Sequence, residues 1–306
     1  MVLAVLILAL APESSELVCE ERNGLELCRR SPNYDGGLLV AEVAGPGCDG
    51  GSIDWQNQTF ALHPVSSGRY HALAPIVLNT DVGAHRLEAR CGERRATFVV
   101  HVERAPYPES QLRVARRFSK PPPARTAEES RSIHRALASN DRLRAWTKPY
   151  LLPRRDRFTS VFGVRRLFNK ALQSQHRGLD IDGRTGRPIY ATNDGFVALV
   201  AENYFYVGNA VFIDHGENVF SMYFHLSETA VKTGERVKRG QRIGRIGKTG
   251  RVTGPHLHFG IKMSGFYVDP LDVLDYRPQP LREQSVAATS HGQFASPDLP
   301  DENRSD

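Results

Sequence analysis

Cysteine is missing from the last two thirds of this 306-residue chain, and Cys19, Cys28, Cys48 and Cys91 are all it has. A metal site closed by thiolates is therefore excluded from the carboxyl-terminal half. No uninterrupted apolar run reaches the roughly 20 residues of a membrane span, the run 2–10 having only signal-peptide length. A strong charge excess is absent too. Lys+Arg 40 against Asp+Glu 34 leaves +6, which suits anionic surroundings without requiring nucleic acid. Hydrophobic residues at 40% exclude wholesale disorder, and the length predicts roughly two domains.

What cysteine there is, an even number crowded into one segment, points to disulfides and an oxidising compartment. The apolar run agrees with export. No Lys or Arg precedes it and Pro12 follows its small-residue site, which points to a signal whose start lies upstream. The competing reading is a buried first strand. Next comes Asn23-Gly24, a type I′ hairpin signal. Counting outward, Arg22 faces Leu25, Glu21 faces Glu26, Glu20 faces Leu27, and Cys19 faces Cys28 at a non-hydrogen-bonded position. Opposed Cα atoms lie about 4.5 Å apart there, within reach of a disulfide. Cys19 then pairs with Cys28, leaving Cys48 for Cys91. The like charges at Glu21 and Glu26 oppose this hairpin.

Strand signals at 38–43, 59–62, 70–73, 85–90 and 97–102, with turn residues between them, predict a small β-sandwich. His63, His71, His85 and His101 are scattered through it and read as ordinary surface or satisfied core residues. Farther on, Lys120-Pro121-Pro122-Pro123 is stiff, and Thr126-Ala127-Glu128-Glu129 reads as a capping box opening a short helix. Arg113, Arg116, Arg117, Lys120 and Arg125 have only Phe118 among them, so they read as a solvated linker rather than a stacking platform. Strand signals at 195–201, 210–215, 219–226 and 256–263 predict an antiparallel β domain.

That domain holds His176-Arg177-Gly178-Leu179-Asp180 and His256-Leu257-His258. Residues two apart on a strand share a face, so His256 and His258 project together. One imidazole can bind a metal while its neighbour touches the metal's water. Asp180, where a loop enters a strand, adds an oxygen ligand. Three N and O ligands with a fourth position left to water mark catalytic rather than structural zinc. Strict alternation groups His225 with Val219, Ser221 and Tyr223, against Phe220, Met222 and Phe224; a lone strand-end histidine is usually structural, but in the company of these other residues it becomes a candidate supporting acid or base. Asp182 reads as a surface or supporting residue, Asp194 as part of a turn, and His215 as a hairpin end outside the site.

With these residues the segment from about 162 to 274 resembles the lysostaphin and LytM-type zinc endopeptidases of bacterial cell walls. The likeness rests on the H-x-x-x-D of His176 and Asp180, the H-x-H of His256 and His258, and the intermediate His225. It extends to Phe162-Gly163-Val164-Arg165-Arg166, Val237-Lys238-Arg239-Gly240-Gln241 and Thr249-Gly250-Arg251-Val252-Thr253-Gly254-Pro255. The resemblance implies one Zn2+ per chain on His176, Asp180 and His258, with His225 and His256 contacting the attacking water and the reacting carbonyl. No H-E-x-x-H helix supplies a glutamate base, so that role falls to His256 or His225. Asn169 is a weaker candidate, since related latent enzymes cover their zinc with an asparagine from that region.

The reading is then a mainly β chain: a signal-like segment at 1–11, a disulfide-containing β-sandwich-like module at 12–104, a linker with a short helix at 105–150, an antiparallel zinc peptidase domain at 151–276 and a disordered tail at 277–306. Its expected substrate is the peptide part of peptidoglycan, in the periplasm or envelope of a bacterium, with a regulator in that envelope, no nucleic acid and no membrane span in the mature chain. The alternative is a non-catalytic cell-wall binding or activator protein using the same groove. Degenerate relatives lose zinc or catalytic histidines, whereas all five key positions stand here.

Overall fold

A computed structural model describes residues 16–111, 122–138, 142–168 and 171–279. The apolar run 2–10, Arg113, Arg116, Arg117, Lys120, Asn169 and nearly all of the tail lie outside the described residues. Strands β1 (Glu16–Arg22) and β2 (Leu25–Ser31) pair in the counted register, Cys19 opposite Cys28 and Arg22 opposite Leu25. Asn23 and Gly24 both have positive φ, as a type I′ turn requires. The Cys19 and Cys28 Cα atoms are 4.1 Å apart and the pair is bonded, as is Cys48–Cys91. The like-charge opposition at Glu21 and Glu26 is relieved from outside the hairpin, because Arg69 meets Glu26 at 2.8 Å.

The first module continues through β3 (Asn33–Tyr34), β4 (Leu38–Ala44), β5 (Ser52–Trp55), β6 (Gln58–Ala61), β7 (His63–Ser66), β8 (Arg69–Pro75), β9 (Gly83–Cys91) and β10 (Arg94–Glu103). Two five-stranded sheets result, ordered β1-β2-β4-β8-β7 and β3-β10-β9-β5-β6. Strand alternation fills the space between them: Ala96, Phe98, Val100 and Val102 of β10 point inward toward Leu39, Ala41 and Val43 of β4. Trp55, buried in that core, satisfies its indole N–H on the Pro75 carbonyl at 3.0 Å.

The segment read as a linker is built into the fold. Strand β11 (Glu109–Gln111) pairs in parallel with β13 (Arg165–Phe168), which pairs in turn with β14 (Ala171–Gln175). Helix α1 (Pro123–Ala136) begins three residues before the expected capping box. Pro123 occupies its first turn, where a missing N–H costs nothing. Thr126 accordingly sits inside the helix and donates to the Pro122 carbonyl, while Glu129 pairs with Arg125 and accepts the Phe205 N–H. Trp146 and Tyr150 are buried in the second core.

That core underlies a ten-stranded sheet. Between α1 and its first strands lies β12 (Phe158–Ser160); then follow β15 (Leu179–Asp182), β16 (Pro188–Tyr190), β17 (Gly195–Tyr204), β18 (Gly208–Asp214), β19 (Val219–Thr229), β20 (Arg236–Val237), β21 (Arg242–Ile246), β22 (His256–Met263) and β23 (Phe266–Val268), closed by α2 (Pro270–Asp275). The main path runs β12-β15-β22-β19-β18-β17-β20. Leu179, Ile181, Leu257, Phe259 and Ile261 bury one face, so Asp180, His256 and His258 are left to the other. The two modules meet at α2: the Leu38 N–H donates to Asp272 at 2.9 Å, the Asp269 N–H to the Gly36 carbonyl at 2.8 Å, and His71 reaches the Tyr276 hydroxyl at 3.2 Å. Leu38, Val40 and Leu73 pack on the second core across this joint.

Candidate metal centre and its histidines

Register builds the site. In the β15–β22 pair Asp180 stands opposite His258 and Asp182 opposite His256, and in the β19–β22 pair His258 stands opposite Phe224. The Phe224 ring stacks on the His258 ring at 5.0 Å and 13°. His176, four residues before Asp180, is fixed by backbone bonds in both directions with the 160–164 segment: its N–H donates to Val164 and its carbonyl accepts from Gly163. A side chain at Gly178 would run into the His258 ring at 2.7 Å, so the glycine between His176 and Asp180 is what lets that ring sit against the loop.

Three donor atoms converge. His176 Nε2, Asp180 Oδ1 and His258 Nδ1 lie 2.9–3.0 Å from one another. Ligands about 2.0–2.1 Å from a tetrahedral ion are separated by about 3.3 Å, so the triad spans close to one triangular face of such a site. The His176 Nδ1–H donates to the Val161 carbonyl at 2.8 Å, which leaves the Nε2 lone pair facing the triad. The donor set therefore fits a divalent ion of borderline softness. Burial opposes ionisation of Asp180, yet its bonds to His176 and His258 hold it well below the usual carboxylate range. Burial pushes His258 the other way, down from its ordinary value, against the pull of Asp180.

His225 reaches the same face by a route alternation does not predict. It has φ +68°, and β19 bulges there: two residues, Phe224 and His225, oppose the single Ala210 between the Asn209–Leu226 and Val211–Tyr223 pairs. The bulge turns His225 away from the core side of Tyr223 and brings its ring to 5.0 Å from His256 and 6.2 Å from His258. Alternation alone would have buried it with Ser221 and Tyr223. Its Nδ1–H donates to the Thr249 carbonyl at 3.0 Å, and His256 Nδ1–H donates likewise to Gly254. Both rings consequently carry an unprotonated Nε2 when neutral. The Thr249 loop can approach because Gly247 has no side chain; a Cβ there would lie 2.7 Å from the His225 carbonyl oxygen. Burial first, then repulsion from His258 and His256, lowers His225 to about 3. A left-handed, buried, neutral histidine is costly, and such strain gathers at sites of function.

The remaining candidates stand apart. Asp182 is half exposed and faces Arg157 at 3.5 Å. Asp194 accepts the Arg239 N–H at its turn. His215 is buried on the core side, bonded to the Asp194 carbonyl at 2.6 Å and the Ser221 hydroxyl at 2.7 Å, and burial lowers it to about 4. In the sandwich, His71 is a satisfied core residue and His85 bonds the Asp81 carbonyl, while His63 pairs with Glu217 across the joint. Sequence reasoning passed over Gly247 and reads Gly178 only as a sign of a loop, whereas the mark of both is a side chain withheld, beside a bulge and beside a ring.

The model of peptidase family M23 matches residues 174–270. Peptidoglycan DD-endopeptidase ShyC of Vibrio cholerae is 44% identical over 133 residues, 42% of this chain and 30% of the relative. DD-carboxypeptidase/endopeptidase Mpg of Neisseria meningitidis is 34% identical over 139 residues, 45% of this chain and 32% of the relative. The chain thus spans about a third of the length of the curated relatives it matches. The crystal structure of a candidate M23 peptidase from Pseudomonas aeruginosa superposes with a TM-score of 0.62 at 27% identity, covering 80% of this chain and 96% of that one. Among the described residues no helix is long and apolar enough to cross a membrane.

Proposed function

Because this chain belongs to peptidase family M23 through residues 174–270, we propose that it is an exported zinc endopeptidase that cleaves the peptide cross-links of bacterial peptidoglycan, with the peptidase in 151–276. The observation that carries the reading is convergence: three ligand atoms within 3.0 Å of one another, beside two further histidines whose Nδ1 atoms are held by backbone carbonyls. His176 Nε2, Asp180 Oδ1 and His258 Nδ1 hold the ion. Bound there, one zinc would polarise a peptide carbonyl and lower the pKa of a water to about 7.

His225 and His256 handle the proton. Each has its Nδ1–H committed to a backbone carbonyl, so each presents an Nε2 lone pair; one of the two takes the single proton released by the attacking water and passes it to the departing amine, while the other faces the reacting carbonyl. Phe224, stacked on His258, keeps that ring oriented and limits water beside it. Names of the relatives, a DD-endopeptidase and a DD-carboxypeptidase/endopeptidase, support a peptidoglycan substrate. The two disulfides support an oxidising, extracytoplasmic setting. Purified chain should contain about one zinc and digest cell-wall sacculi, and His258→Ala should lose both properties. Equal digestion by wild type and variant would overturn the reading.

A further inference from the structure

The bulge that turns His225 toward the site also takes its backbone out of the sheet ladders. Phe224 pairs with His258, and Leu226 with Asn209 and Ile246, while none of the ladder pairs of β19 includes His225. Its N–H donates instead to the Val207 carbonyl at 2.9 Å, in the turn 205–207 that joins β17 to β18. The same turn meets the loop that holds the ring. The Tyr206 carbonyl accepts the Arg251 N–H at 3.0 Å, and the Thr249 hydroxyl accepts the Asn209 N–H at 2.9 Å. Main chain and ring of His225 are therefore held by two segments that are bonded to each other.

Helix α1 grips that turn from outside. Glu129 accepts the Phe205 N–H at 2.8 Å on one carboxylate oxygen and Arg125 at 2.7 Å on the other, and Arg125 donates in turn to the Asn203 carbonyl. Arg125, Glu129, Ile133 and Leu137 recur every four residues and so form one ridge of the helix. Leu137 is buried with Phe212 and Met222 in a small core, on which Ile133 and Val207 also pack. The ridge thus has a polar half that bonds the turn and an apolar half that packs beside it. Phe205 is only half-buried, where water could satisfy its N–H, so what the carboxylate adds is position.

We propose that Glu129 is a positioning residue for His225: through Phe205 and Val207 it fixes the backbone of the left-handed histidine, and with it the direction in which the ring presents Nε2. This rests on the peptidase reading above. The path is short, since one residue separates the Phe205 N–H that Glu129 holds from the Val207 carbonyl that holds His225. A left-handed backbone is disfavoured for histidine and persists only where neighbours over-determine it. A ring that must meet a water or a carbonyl is sensitive to displacements on the ångström scale. Glu129 lies outside residues 174–270 matched by the family model, so one support of the site comes from the segment between the modules.

The test uses the full chain and follows backbone amide exchange by NMR alongside kcat, KM and zinc content. Glu129→Ala should speed exchange at the His225 N–H by about tenfold or more while amides of β15 and β22 keep their rates, and should lower kcat about tenfold at unchanged KM and zinc content. Glu129→Gln, whose amide oxygen can still accept the Phe205 N–H, should restore both. Arg131→Ala, an exposed change on the same helix, should alter neither. Equal effects of Glu129→Ala and Arg131→Ala, or exchange that speeds alike at His225 and throughout β15 and β22, would reduce Glu129 to general stability and overturn the proposal. Cleavage of peptidoglycan by the wild type, with His225 exchange unmoved in Glu129→Ala, would overturn it while leaving the peptidase reading intact. Selective exchange at His225 in a chain whose wild type cleaves no peptidoglycan would do the reverse.

Discussion

In the sandwich, Glu42 and His71 are fully buried and meet at 3.1 Å, with Arg69 on the second carboxylate oxygen and Tyr276 on the second ring nitrogen. In the large sheet, His176 and Asp180 are buried, His258 is partly buried, and one ligand atom of each converges on a single point. The first group closes on itself, and every polar atom has a partner of opposite character. The second gathers two imidazole nitrogens around one carboxylate oxygen, where their bonds hold Asp180 ionised and a divalent cation can take the place of the ring protons. Two sheets of similar build thus differ in whether their buried polar groups complete a structure or await a ligand.

The sharpest way to break that comparison is to remove the two histidines proposed to handle the proton rather than to hold the ion. His225→Ala and His256→Ala should each lower turnover by about a hundredfold to ten-thousandfold while zinc content, measured by mass spectrometry, stays near one per chain. Zinc loss in either variant would instead make that residue a ligand. Next in size is reduction. Opening Cys48–Cys91, which closes a sequence separation of 43, should cost the sandwich about 4 kcal/mol in chemical unfolding, while the cysteine-free sheet keeps its metal. Loss of zinc on reduction would mean that the modules do not stand apart energetically.

Acid offers a third, smaller test. His215 is lowered to about 4 by burial, so the unfolded chain binds its proton first as pH falls. Its contribution is complete above about pH 6.5, declines as pH drops toward 4, and amounts to a loss of about 2 kcal/mol at pH 5. Thermal unfolding should show this for wild type, and His215→Gln should flatten the slope between pH 6.5 and 4. Smallest is Tyr276→Phe, which removes the hydroxyl that His71 meets and should cost about 1 kcal/mol at the joint. A larger loss would mark His71 as a strained rather than a satisfied residue.

Much of this was legible before any coordinates. Period two placed His256 with His258, and counting from Asn23-Gly24 placed Cys19 against Cys28, because strand geometry allows one answer in each case. His225 resisted, since its position depends on a bulge set by a left-handed residue and by a distant carbonyl at Thr249. Local patterning has no term for that. The start of α1 was misread for a related reason: Thr126-Ala127-Glu128-Glu129 carries the capping pattern, but Pro123 nucleates the helix earlier and Glu129 finds its partner 76 residues away at Phe205. The length between 105 and 150 looked like a tether because its contacts are long-range, with Trp146 and Tyr150 joining a core whose strands lie far along the chain.

Strand β11 lies alongside β13 in a three-stranded sheet ordered β11-β13-β14. Its role can be put in terms of sheet edges. Without it, the outer side of β13 would present unpaired backbone donors and acceptors, a template for adding a strand from another molecule. A peptidase domain excised after Gln111 would therefore carry an open edge beside the hairpin that leads into His176. The segment that joins the modules also keeps that hairpin from pairing with its neighbours.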